Sequence, residues 1–168
     1  MIMMLISFLF TAFCIFLQGT VFQSLALAGV VPNLALASVL CFSYQRGHRF
    51  GLILGFLTGL LMDILFSTII GLDALIFMTI GVLIFLIERI EFRNPLYFSL
   101  TVIGGGSLIY SLLYYVLHFL LRGKMAFGTY FVTIILPEML YTVLVGVILF
   151  PIIRAIHRWY QKFEFREE

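Results

Sequence analysis

The chain has 168 residues, 63% of them hydrophobic and 11% charged, with a formal net charge of +2 and a mean hydropathy of +1.18. A water-soluble domain carries about 25% charged residues, so this composition excludes a soluble fold and leaves no room for a sizeable extramembrane domain. At roughly 20 apolar residues per span, the length holds six or seven membrane helices with short loops, in one polytopic domain.

The first helix is expected over 2–22, within a stretch, 1–45, that contains no Asp, Glu, Lys or Arg. Ala26-Leu27-Ala28 resembles a leader-cleavage site, but no basic residue precedes the run and the run exceeds a signal core, so the segment reads as retained. Gln18 and Gln23 fall toward the far end of this helix, within reach of water or headgroups. Pro32 suits the first turn of a second helix over 30–44, where its missing N–H is not needed. That helix is only roughly 22 Å long, against a hydrocarbon core of roughly 30 Å. It is either sheltered by its neighbours or begins before Pro32. Residues 44–50, with Arg46, His48 and Arg49, read as a polar loop.

The third helix, over 50–66, carries Gly51, Gly55, Gly59 and Asp63 at successive steps of four. That spacing lays them along one stripe of an α-helix. Small residues so placed let a second helix approach closely, and van der Waals contact can then hold the pair together in lipid. After Ser67, Thr68 and a turn at Gly71, the fourth helix covers 71–87, with Asp73 in its first turn, where negative charge is favourable. Pro95 marks the next boundary. The fifth helix, 96–121, is long enough to tilt, and Gly104-Gly105-Gly106 would soften or kink it. The sixth, 129–154, contains Pro137 and Glu138. A tail over 155–168 mixes Arg158, Lys162 and Arg166 with Trp159, Tyr160, Phe163 and Phe165, a composition suited to a membrane interface.

With six helices and the N-terminus inside, Arg46, Arg49, Arg89, Arg93, Arg154, Arg158, Lys162 and Arg166 fall on the inner side, and only Arg122 and Lys124 on the outer. This bias predicts that both termini are cytoplasmic.

Asp63 and Glu138 are the acids that fall well inside spans. Counted along their helices, they lie roughly 20 Å from the inner start and roughly 14 Å from the outer start, at similar depth in the outer half. No Lys or Arg lies there to pair with them, so at least one is protonated, hydrogen-bonded or facing a water-filled cleft. Thr58, Ser67, Tyr141 and Thr142 are the side-chain donors within range. One meaning of the pair is a structural polar contact between helices; the other is a proton or cation relay.

Nothing in the sequence supplies a catalytic centre. Ser107 has no obvious partner base, His118 falls near headgroup level, and no metalloprotease motif or phosphate-binding loop is present. Cys14 and Cys41 lie in apolar runs and read as buried small hydrophobes, without disulfide or zinc spacing. No cofactor, metal or nucleic acid is expected.

Residues 51–63, read as G-x-x-x-G-F-x-x-G-L-L-x-D and followed by Ile70-Gly71-Leu72-Asp73-Ala74-Leu75, resemble the bacterial rod shape-determining MreD family. Pro32-Asn33-Leu34 and the stretch from Leu136-Pro137 to Pro151 fit its pattern too. Position 73 varies in the family, and Glu138 matches no family motif. The resemblance implies a six-helix, multi-pass protein of the bacterial plasma membrane without catalytic activity. Such proteins work with MreC, the actin-like MreB, and the glycosyltransferase and transpeptidase of sidewall peptidoglycan synthesis. The expected function is therefore a membrane scaffold of the elongation complex. Two alternatives stay open. A substrate-binding subunit of an energy-coupling-factor vitamin transporter has similar size, but its Ala-x-x-x-Ala coupling motif is missing from the first helix, where Ala12 is followed four on by Phe16. A small proton-coupled transporter would use Asp63 and Glu138.

Overall fold

In the computed structural model, the described residues are 2–26, 29–67, 70–87, 89–90, 94–122 and 127–164, with the side chains at 118–122, 127, 129 and 160–164 left outside that description. The expectations that rest on the side chains of Arg93, His118, Arg122, Lys124, Tyr160, Lys162, Phe163, Phe165 and Arg166 lie outside it as well.

The chain is all-helical, with no strand among the described residues. Helix α1 is Ile2–Ser24, α2 Leu34–Arg46, α3 His48–Phe66 and α4 Leu72–Leu83, which ends in a 3₁₀ turn at Ile84–Leu86. Helix α5 starts at Pro95–Phe98, widens into a π turn at Ser99–Ile103 and continues as Gly104–Arg122. Helix α6 starts at Phe127–Tyr130, passes a π turn at Phe131–Ile135 and continues as Leu136–Glu164. Helices α1, α3, α5 and α6 are each long and apolar enough to cross a membrane; Leu72–Leu86 is apolar but shorter. The protein is a multi-pass membrane protein.

The residues between the second and third helices form no extended polar loop. Helix α2 runs on to Arg46, α3 starts at His48, and the chain turns at Gly47 with a φ of 88°. A left-handed φ costs a glycine no Cβ clash, so one residue suffices for the corner. Basic residues do not require a loop here: His48 packs edge-on against the Phe85 ring, centroids 5.2 Å apart, from a helical position. In the same way α6 does not stop near Arg154 but stays helical to Glu164, with Pro151 inside it. The π turn in α6 lies just before Pro137, whose missing N–H and bulky ring disfavour a tight α turn.

Helix α2 is the centre of the fold. Every residue from Leu34 to Ser43 is buried, and α1, α3, α4, α5 and α6 all pack on it. Its short length is tolerable because it meets protein on all sides. Around it, α1 turns Met3, Ser7, Thr11, Cys14 and Ile15 inward and leaves Leu5, Leu9, Phe13 and Phe16 57–65% exposed. That outward row is apolar because lipid, not water, is its solvent. Cys14 and Cys41 are both free thiols in the core.

Candidate functional site

The closest helix pair is α3 with α4, and the glycine stripe lies between them. A Cβ on Gly51 would sit 2.6 Å from the Gly81 carbonyl oxygen, and one on Gly59 would sit 2.5 Å from Ala74 Cα. A Cβ on Gly55 would press into the carbonyl of Phe77. At Gly55 and Gly59 the neighbours are backbone atoms, which cannot rotate aside, whereas Gly51 also meets the Ser43 side chain of α2. The stripe is therefore mainly a contact surface for α4, the next segment of the same chain.

At the end of the stripe, Asp63 is completely buried. Its Oδ2 accepts hydrogen bonds from the backbone N–H of Gly71 at 2.9 Å and of Ala74 at 3.0 Å, and its Oδ1 accepts one from Asp73 N–H at 3.1 Å. These are the N–H groups that a helix start leaves without intrahelical partners. Gly71 stands in the left-handed region, φ 103°, and turns its N–H back toward α3. Asp63 thus caps α4 from the neighbouring helix, where the positive end of the helix dipole adds to the three hydrogen bonds. The need is acute in lipid, where no water would satisfy those donors.

None of the four side-chain donors expected near the acids bonds to the carboxyl of Asp63 or Glu138 among the described residues. Ser67 Oγ donates to Asp73 Oδ2 at 3.0 Å, Thr142 Oγ1 donates to the Glu138 carbonyl at 2.6 Å, and Tyr141 OH reaches the Leu25 carbonyl at 3.4 Å. The Thr58 hydroxyl is buried without a partner. Side-chain donors carry a sequence signature; the backbone donors that bind Asp63 carry none.

A second buried acid, Asp73, belongs to the same unit. Besides Ser67, it accepts a hydrogen bond from Tyr110 OH at 3.2 Å. Tyr110 packs edge-on against Phe77 and stacks on Tyr114, with ring centroids 5.4 and 5.9 Å away. Asp73 therefore ties the α3–α4 turn to α5. Its place in the first turn of a helix was legible, but its burial was not. The one hint was the repeat of Ser107, Ser111 and Tyr110, Tyr114 at steps of four, which gives α5 a polar face. Replacing Tyr110 by Phe keeps the ring contacts and removes one hydrogen bond to a buried carboxyl. The expected cost is roughly 1–3 kcal/mol, read as a lower thermal unfolding midpoint of the purified protein. An unchanged midpoint would remove this tie from the account.

The start of α2 is held in a parallel way. Asn33 Oδ1 caps Leu36 N–H at 2.9 Å, Thr142 Oγ1 of α6 accepts from Asn33 N–H at 3.0 Å, and Gln18 Oε1 of α1 accepts from Ala35 N–H at 3.3 Å. Gln18 thus points inward to a helix terminus rather than to water or headgroups. The Glu138 carboxyl lies beside the Asn33 side chain. Asn33 immediately before an apolar run is an N-cap signal, and Pro32 lies just ahead of it, outside the helix.

Asp63 and Glu138 thus serve two different helix starts. Asp63 holds α4, while Glu138 meets the cap of α2. The Ser107 hydroxyl is buried with no hydrogen-bond partner among the described residues. Among the described residues there is no group of three or more His, Cys, Asp or Glu side chains that could hold a metal ion. What the geometry can do is lock helices in place.

Comparison with curated proteins and with solved structures gives no match. The family model of the rod shape-determining protein MreD matches residues 1–160. That match contains the glycine stripe, Asp63, Asn33 and Glu138, and it extends over nearly the whole chain. On this evidence the chain belongs to the MreD family of rod shape-determining membrane proteins.

Proposed function

We propose that this protein is a non-enzymatic scaffold of the bacterial plasma membrane that acts with MreC in the elongation complex, beside MreB and the glycosyltransferase and transpeptidase of sidewall peptidoglycan synthesis. In this reading both termini are cytoplasmic, in line with the inner excess of basic residues. The observation that carries it is the state of Asp63. A relay acid must exchange protons with water or a mobile partner, but this carboxyl is fully buried and both its oxygens are occupied by backbone N–H groups. A rigid core of mutually capped helices is what a scaffold needs in order to present fixed outer surfaces, of which the apolar row on α1 is one.

The test is affinity purification of the tagged protein after crosslinking in its native membranes, with mass spectrometry of what is recovered. Recovery of MreC and wall-synthesis enzymes is the expected result. Recovery of transporter ATPases and their membrane coupling subunit would overturn the scaffold reading in favour of a vitamin-transport subunit.

A further inference from the structure

At the end of the bundle that carries the basic residues, a cavity of about 480 Å³ opens between the start of α5 and the last turns of α6. Pro95, Phe150, Pro151 and Trp159 form its apolar walls, and Arg154 and Arg158 line it with positive charge. Four residues apart on one helix, the two arginines stand on the same face. Among the described residues neither guanidinium meets a carboxylate; Arg154 stands over the Phe150 ring, 5.9 Å from its centroid.

The depth of the cavity is set by the helix itself. From Phe131 to Arg154 α6 rises roughly 35 Å, a little more than the roughly 30 Å hydrocarbon core. Both guanidiniums therefore fall at headgroup level. Trp159, 59% exposed, lies where an indole is favoured, at the boundary between lipid and water. Toward the membrane interior, on the face that Pro151 and Ala155 share, the same helix exposes Leu144 and Ile148 by 64% each, an apolar track leading away from the charged cavity.

We propose that this cavity is a binding site for an anionic phospholipid, with the phosphate held by Arg154 and Arg158 and the first part of an acyl chain laid along Ile148 and Leu144. A guanidinium offers a planar fork of donors that matches phosphate oxygens. Two of them on one face suit a lipid with negative charge beyond what a zwitterionic headgroup has to offer. The apolar track favours a lipid over a free anion, which would leave it unused. The inference rests on the protein spanning a membrane and is independent of the scaffold reading.

The test uses the purified full-length protein in detergent, titrated with phosphatidylglycerol or with phosphatidylcholine of the same acyl chains and followed by native mass spectrometry. The wild type is expected to retain phosphatidylglycerol in preference by about tenfold, the factor that one charge-assisted contact supplies. Arg154→Gln with Arg158→Gln should abolish the preference. Arg158→Gln alone, at an exposed position, should weaken it several-fold without lowering the unfolding midpoint of the lipid-free protein. Equal retention of both lipids by the wild type would overturn the site, and so would an undiminished preference in the single and double variants. Displacement of phosphatidylglycerol by an equal concentration of inorganic phosphate would also overturn it, by reassigning the cavity to a soluble anion.

Discussion

Alanine at Gly55 or Gly59 is expected to lower the amount of folded protein in membranes, and leucine at either position to abolish most of it. The reason is the identity of the neighbours. A Cβ at Gly59 would lie 2.5 Å from Ala74 Cα, and one at Gly55 would overlap the Phe77 carbonyl. Backbone atoms in a helix cannot yield as a flexible side chain can, so α3 and α4 must move apart. Overpacking a tight contact costs about 1–3 kcal/mol for small insertions, and separation of the helices would also loosen the three hydrogen bonds at Asp63. Gly105 is the internal control. A Cβ there meets nothing within 4 Å, and a helical Gly→Ala change favours the helix by up to about 1 kcal/mol. The expected pattern is therefore loss at positions 55 and 59 and no loss at 105, measured as membrane yield and thermal midpoint. Wild-type yield and stability in both leucine variants would refute the packing role of the stripe.

Replacing Asp63 by Ala should be the most damaging single side-chain truncation in the chain. It leaves the N–H groups of Gly71, Asp73 and Ala74 without their acceptor. Each buried donor left unpaired costs roughly 1–3 kcal/mol, and the fully buried position keeps solvent water from compensating. Asp63→Asn keeps the shape and one acceptor oxygen. Placed at the Oδ2 position, that oxygen still serves Gly71 and Ala74, while the amide group faces the Asp73 N–H, donor against donor. An intermediate loss is expected. The graded order, wild type above Asn above Ala in thermal midpoint, separates a helix-capping role from a relay. A relay acid could be neutralised with little loss of fold and would instead lose a pH-dependent activity. Variants as stable as the wild type would sink the capping account.

The two effects explain why the glycine stripe ends on an acid. The stripe brings α3 onto the α4 backbone, and the acid one turn further on meets the start of that same helix. The left-handed Gly71 makes the geometry possible by folding the chain back within a short turn. Asp73 and Tyr110 then fasten this hairpin to α5, and Asn33, Gln18 and Thr142 fasten α2 between α1 and α6. The starts of α2 and α4 are thus each satisfied by side chains from their own N-cap or from neighbouring helices.

By itself the sequence determined the membrane class, the all-helical character, the glycine stripe and the presence of acids inside apolar helices. Those follow from composition and periodicity, since lipid demands apolar residues and intact backbone hydrogen bonding along every span. It also carried the stretch by which the chain resembles the family, because glycine and aspartate at fixed steps are readable without any neighbour. Only the tertiary structure decided that α2 is the buried centre rather than a short outer span. Hydropathy cannot separate a face turned to lipid from one turned to protein, since both are apolar. It also decided that Asp63 meets backbone donors and that Asp73 is buried against Tyr110. Backbone N–H groups exist at nearly every position, and nothing in a linear pattern marks which of them a distant carboxyl will meet. That choice is made when the helices dock, because in lipid an unpaired polar group costs more than almost any change of packing that would pair it.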